Sequence, residues 1–359
     1  MTFLHGCNYP WSTDGRTVYY GMDFGANVWG SHLGVSTRRD AVARDFLDMA
    51  RLGFTVARWF VFCDGRAGIL YDPSDMPAGL DDCFFVDMDA ALEIARDAGI
   101  RLDLVLLDHR WMFRDLIDSA VDASTGLRIE RTLPHGRADV LLTSSGRRLL
   151  FERVFEPIVM RYGASGERQD LGRQIAFFEL MNEPDFVISE WRRDISRRVP
   201  RPVDFAVFRK MVSELSALVH ANSSALVTLG GARLRNLHAW DDPALGLDLL
   251  QVHSYPDTRR FFRAEPDIFG RPASSLGLNR EVILGEFPGN GPTQHPGGAS
   301  PPATTLDDYL EFGVSGGYAG AWPWSFSGTD AYGRLPEEPL RRFAARHPDL
   351  VNPLAFTDE

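Results

Sequence analysis

The sequence predicts a single-domain (β/α)8 barrel spanning residues 1–359, and three observations carry that reading. Eight short apolar runs with strand character recur along the chain, amphipathic helical stretches separate most of them, and no glycine-rich phosphate loop follows the first run. The strand candidates are Phe3–Asn8, Thr55–Phe62, Leu102–Leu107, Gln174–Met181, Ala225–Leu229, Asp248–Val252, Val282–Gly285 and Tyr318–Trp322. Strand and helix alternating in this way, with right-handed crossovers, close into a barrel. A doubly wound open sheet is the competitor, but Gly230-Gly231 alone does not make a phosphate-binding turn.

The helices are marked by period and by their ends. Thr37 is placed to cap a helix with Val42, Phe46, Met49 and Ala50 on one face, stopped by Gly53. Met88, Ala91, Leu92 and Ala95 repeat the pattern before Gly99, and Pro202 with Asp204 opens a helix carrying Phe205, Phe208, Val212, Leu215 and Val219. Thr305 opens another with Leu306, Tyr309 and Leu310, expected to end at Gly313, while Arg235–Leu245 holds only a turn or two. The long segments Trp11–Val35, Arg110–Ser144 and Pro288–Pro302 follow strands one, three and seven, at the end of a barrel where loops shape a substrate cleft.

Composition bounds the partners. The chain is 44% hydrophobic and 24% charged, with a net charge of −11. That balance disfavours nucleic acid and anionic membranes, both of which want a basic surface, and leaves uncharged ligands such as sugars open. Cys7, Cys63 and Cys83 show no CxxC spacing and read as three thiols. The start, Met1-Thr2-Phe3-Leu4-His5-Gly6, has neither a basic n-region nor an apolar h-region, so a cytoplasmic location is the expectation. The oligomeric state leaves no mark in the sequence.

Two strand ends carry chemistry. Ile175-Ala176-Phe177 runs into Phe178-Glu179-Leu180-Met181-Asn182-Glu183-Pro184, and Val282-Ile283-Leu284-Gly285 ends on Glu286. Asn-Glu-Pro alone is a common turn, and most strand-end glutamates are simply solvated. On strands four and seven of eight, however, the two carboxylates face each other across one barrel mouth, the minimum equipment for breaking a glycosidic bond. Glu179 shares parity with Glu183 and points into the barrel, where it reads as a buried structural carboxylate with Arg58 as a partner. His5, His109 and His253 lack the carboxylate spacing of a metal site, so no metal and no organic cofactor is expected. Arg192-Arg193 and Arg197-Arg198 read as a solvated basic face.

From Phe3 to about Phe343 this series of strand ends resembles the clan-A retaining glycoside hydrolases, most closely the cellulase- and mannanase-like family 5. The resemblance implies that Glu183 is the acid/base with Asn182 as its sugar-binding neighbour, and that Glu286, in Ile283-Leu284-Gly285-Glu286-Phe287, is the nucleophile. It further implies that His253 and Tyr255 flank the reaction centre, that Arg58 lies near the nucleophile, that His109 lines the pocket, and that Trp322 or Trp324 forms a sugar platform. The expected activity is retaining hydrolysis of β-linked gluco- or manno-configured glycosides. Transglycosylation through the same ester and a non-catalytic carbohydrate-binding barrel are the alternatives. Arg58 and Tyr255 should hold Glu286 ionised, so Glu183 should titrate higher than Glu286. Loops walling one end of the cleft favour short oligosaccharides or exo action.

Overall fold

The computed structural model describes residues 2–14, 17–121, 128–134, 137–255, 268–289, 304–328 and 332–356. Its centre is a closed barrel of eight parallel strands, one for each apolar run expected. They are β1 (Leu4–Asn8), β2 (Val56–Phe60), β3 (Arg101–Val105), β4 (Ile175–Asn182), β5 (Leu226–Gly231), β6 (Leu250–His253), β7 (Val282–Pro288) and β8 (Gly320–Trp324). Each pairs with its sequence neighbours, and β8 returns to β1 through His5 opposite Ala321. Nearly every strand residue is buried, as expected when helices cover the outside and side chains fill the inside.

The interior is layered. At the floor, Leu4, Val56, Ala176, Phe177, Leu249, Ile283, Ala319 and Trp322 form an apolar plug. Trp322 crosses this layer so tightly that a Cβ on Gly6 would fall 2.5 Å from its ring. Above it sits a polar layer in which Gln251 donates to Asp103 (2.9 Å) and Glu179 (3.0 Å). The mouth lies above that.

Outside, α1 (Arg39–Arg51) and α2 (Phe84–Asp97) bury the faces their periodicity marks. Thr37 does not cap α1; it sits in a 3-10 turn, Val35–Arg38, and its hydroxyl donates to the Gly34 carbonyl at 2.8 Å. The segment before β4, left unassigned by sequence, is helical: α3 (Ser144–Leu150), a π turn (Phe151–Phe155) and α4 (Glu156–Tyr162). The π turn shifts the phase of the apolar stripe, and Pro157 occupies the first turn of α4, where proline is tolerated. Asp204 precedes α5 (Phe205–Asn222), but Glu190 accepts the Phe205 N–H at 2.9 Å. Between β5 and β6 lie only short turns and α6 (Leu237–Trp240). Thr305 and Asp308 form a reciprocal cap on α7 (Leu306–Ser315). This helix runs past Gly313, which is there for packing: a Cβ would meet that of Ala321 at 3.0 Å. α8 (Glu337–Arg346) follows β8.

Two antiparallel hairpins decorate the mouth end, Ile69–Tyr71 with Pro77–Leu80 after β2 and Asp115–Val121 with Arg128–Pro134 after β3. The second occupies the long segment expected after strand three. Most of Pro288–Pro302 lies outside the described residues. Among the described residues no helix is long and apolar enough to cross a membrane. All three cysteines are free thiols.

Candidate active site

Glu183 reaches the mouth because β4 ends abruptly. Pro184 disfavours a right-handed helical residue before it, and Glu183 takes the left-handed conformation (φ 50°, ψ 50°), which costs an L-residue on the order of 1–2 kcal/mol. Its N–H donates to the Gly230 carbonyl at 2.7 Å, and the neighbouring Asn182 N–H donates to Leu107 at 2.8 Å. The strained residue is therefore pinned from both flanking strands, and strain of this kind concentrates at functional sites.

Glu286 is placed by a different device. The β7–β8 register shifts between Leu284 and Phe287, so Gly285 and Glu286 form an irregularity that aims the carboxyl inward. Gly285 has no room for a side chain, since a Cβ would lie 2.4 Å from Gln251 Oε1. Arg58 Nη1 donates to Glu286 Oε1 at 2.7 Å and the Tyr255 hydroxyl donates to Oε2 at 2.9 Å, so both oxygens are oriented. The same guanidinium forks onto Glu179 (2.7 and 2.6 Å) and donates to Asn8 (2.8 Å) and Asn182 (2.7 Å). Burial opposes the Arg58 charge, but Glu179, then Glu286 and Asp103, outweigh it and hold the cation firmly. Burial, reinforced by the Glu179 charge, pushes Asp103 well above the usual carboxylate range.

The two glutamates are close: one carboxylate oxygen of each, with a ring nitrogen of His253, all lie within 4.8 Å of one another. His253 Nδ1 is 3.2 Å from Glu183 and 3.4 Å from Glu286. His109 Nδ1 lies 3.7 Å from Glu183 and 3.4 Å from Asp108. This geometry reverses the expected titration order. Burial raises Glu183, but the hydrogen bond and charge of His253, followed by His109 and Arg233, bring it down to about 2. Burial raises Glu286, with the Glu183 charge adding to it, against the lowering from His253 and Arg58. Burial lowers His109, yet Asp108 and the two glutamates more than offset this and raise it.

These groups line one cleft of about 330 Å³, together with Trp11, Phe60, Cys63, Arg110, Phe186, Ala232, Arg233, Trp324 and Tyr332. The volume is at the low end for small-ligand sites. Asn182 contributes less than expected, because its carbonyl accepts from Arg58 and its amide donates to Asp108 at 2.7 Å, leaving one N–H uncommitted by these bonds. Of the two tryptophans offered as a platform, only Trp324 lines the cleft, and the Trp324–Ser325 peptide is cis. Trp322 belongs to the floor, fully buried with Nε1 donating to the Leu4 carbonyl at 3.2 Å. Sequence reasoning missed Arg110, Arg233 and Tyr332 as wall residues; the first two carry one weak signal, a polar residue just beyond a strand end.

No family model matches the chain. The mannan endo-1,4-beta-mannosidase of Mytilus edulis is 22% identical over 353 residues, covering 90% of this chain and 83% of that one. Among solved structures, the Mytilus edulis beta-mannanase superimposes with a TM-score of 0.67 at 20% identity, over 95% of this chain and 90% of the other. The beta-1,4-D-mannanase of Cryptopygus antarcticus gives 0.69 at 16% identity over 100% and 91%. A glycoside hydrolase family 5 mannosidase from Rhizomucor miehei gives 0.55 at 14% over 99% and 95%. The fold is thus the (β/α)8 barrel found in family 5 glycoside hydrolases, and the resemblance read from the strand ends is borne out at that level.

Proposed function

We propose that this protein is a retaining β-glycoside hydrolase acting on short β-mannosidic substrates, with Glu286 as nucleophile and Glu183 as acid/base. The observation that carries the reading is the asymmetry of the pair. Glu286 is tied on both oxygens, to a buried cation and a phenol, while Glu183, within 4.8 Å, has the His253 and His109 imidazoles at 3.2 and 3.7 Å. A nucleophile needs fixed orientation, whereas an acid/base needs a proton relay. Their proximity fits the close spacing of retaining enzymes, about 5–5.5 Å, and not the wider inverting range.

In the first step a Glu286 oxygen attacks the anomeric carbon and the glycosidic C–O bond breaks. Glu183, in its protonated form, delivers its proton to the departing oxygen. In the second, Glu183 takes a proton from water, whose oxygen attacks the same carbon and releases the Glu286 carboxylate. Two inversions leave the β configuration in place. Trp324 offers its face to the apolar side of a pyranose. Relatives named as mannanases and mannosidases support a manno-configured ring. The small cleft volume supports short substrates.

The test is hydrolysis of β-1,4-linked mannooligosaccharides beside the gluco series, with the first-formed anomer followed by proton NMR. The β-anomer should appear first. An α-anomer, or full activity in both Glu183→Ala and Glu286→Ala, would overturn the assignment.

A further inference from the structure

The Glu183 end of the cleft is built differently from the Glu286 end. His109, 3.7 Å from Glu183, is held edge-on between two phenylalanines, Phe113 (5.4 Å between ring centroids) and Phe186 (5.0 Å). Each of these rings carries a guanidinium on its face, Arg198 on Phe113 at 4.5 Å and Arg233 on Phe186 at 5.1 Å. Arg110 stands beside them in the cleft wall. Next to the cleft, Arg198 joins Arg114, Arg197, Asp115 and Pro200 in lining a second hollow of about 260 Å³. Among the described residues no carboxylate lies within ion-pair distance of Arg197 or Arg198. Arg110 has Asp108 at 3.8 Å, and that carboxylate also serves His109 and Asn182. Burial lowers Arg110, and of the charges around it Arg198 lowers it further while Glu183 and Glu286 oppose this.

Arginines gathered against one another in a chain of net charge −11 are not a general basic surface. The Arg110 side chain is 39% exposed and Arg198 is exposed, so both guanidinium forks reach solvent beside the cleft, and the planar fork matches carboxylate and phosphate oxygens. A neutral pyranose needs no such wall. The side of the cleft matters too, because the acid/base touches the oxygen of the leaving portion, so the groups ranged beyond Glu183 meet that portion and not the sugar held over Glu286.

We propose that the leaving portion of the substrate carries an anionic group, a carboxylate or phosphate, received by Arg110 and Arg198 at the Glu183 end of the cleft. This rests on the glycosidase reading above and names the substrate class that the reading leaves open.

The test compares two β-mannosides with the same alkyl linker on the leaving oxygen, one ending in a carboxylate and the other in its neutral amide. A phosphate-terminated third distinguishes the two anions by the size of its preference. Wild type should favour the anion by roughly tenfold in kcat/KM, the scale of one charge-assisted contact. Arg198→Gln and Arg110→Gln should bring the ratio toward one through KM of the charged substrate, with Arg198→Lys keeping part of it. A ratio within one enzyme is insensitive to the amount folded. If wild type hydrolyses the amide as well as the anions, the anion proposal is overturned while the glycosidase reading stands. If neither is hydrolysed, the reading falls and the proposal with it.

Discussion

Arg58 donates to Glu286 at 2.7 Å with the guanidinium that clamps Glu179 on its other edge, so the candidate nucleophile is anchored through a buried ion pair in the barrel layer beneath it. Removing the cation leaves Glu179 and Glu286 buried without their charge partner, a loss that typically costs about 3–5 kcal/mol. Arg58→Met should therefore lower both the urea midpoint and kcat, and Arg58→Lys should restore little, because a point charge cannot fork to two partners. Gly230→Ala attacks the same clamp without touching a charge, since its Cβ would fall 2.4 Å from Glu179 Oε1 and 3.1 Å from Arg58 Nη2. Normal stability in Gly230→Ala, measured by urea unfolding, would show that the clamp can shift.

The roles of the two glutamates separate by leaving group. A dinitrophenolate departs without a proton, so Glu183→Ala should keep a fast first step on a dinitrophenyl glycoside, seen as a burst of phenolate. On an alkyl glycoside the same variant should lose about 10²–10⁴ in kcat/KM, the usual contribution of general acid catalysis. Glu286→Ala should show no burst on either. Equal losses for Glu183→Ala on both substrates would remove it from the acid role.

His109 sets an alkaline limb. Its pKa is raised by Asp108 and the glutamates against burial, so the imidazole keeps its proton to a pH above the ordinary histidine value of about 6.5. Activity that draws on this proton is present below the raised value and lost as pH rises through it. His109→Gln should lower kcat/KM and move the alkaline limb, with the pH profile as the readout. An unmoved limb would remove His109 from the proton relay.

How much of this was legible depends on what a local pattern can encode. Eight apolar runs identify barrel strands because each is buried on both faces, and the strand ends identify Glu183 and Glu286 because chemistry in this fold sits there. Parity gives the side on which a residue points but not its height in the barrel. Trp322 and Trp324 are both inward by parity, yet one is the floor and the other the rim. The titration order was missed for a related reason. It is set by His253, which arrives from a different strand to stand between the carboxylates. Arg110 lies in a 3-10 turn and Arg198 in a loop, segments whose paths no periodicity describes, and only the fold brings them to one end of the cleft.

Away from the site, His5 governs acid stability. It lies in the wall of the barrel with its ring 4.6 Å from Phe54 and 4.7 Å from Phe343. Burial brings its pKa to about 3, with the nearby Leu52 backbone offsetting part of the effect. The native state thus keeps His5 neutral while the unfolded chain takes up a proton below about pH 6.5, and stability is lost as pH falls from there toward 3. His5→Leu removes that linkage. Between pH 6.5 and 4.5 its unfolding free energy should fall by about 2–3 kcal/mol less than that of wild type, compared by urea titration at both pH values. Parallel losses would show that His5 is not the group being protonated.

Trp324 and Trp322 stand two residues apart and should fail in different ways. Trp324 is partly exposed at the rim, its ring 6.1 Å from that of Trp11 and 6.4 Å from that of Phe60, and its loss removes stacking area from the substrate more than contacts from the core. Trp324→Ala should raise KM and lower kcat/KM with a small change in unfolding. Trp322 fills the floor beside Phe177, 5.9 Å between ring centroids, and Trp322→Ala opens a cavity in a layer that cannot collapse around it. The cost for such a truncation is about 3–5 kcal/mol. Its remaining folded fraction should bind substrate with near-normal KM, because the floor plug lies beneath the polar layer and no part of Trp322 reaches the cleft. The two variants compared by denaturant unfolding and by Michaelis constants decide the point, and a raised KM in Trp322→Ala would mean that floor and rim are coupled through β8.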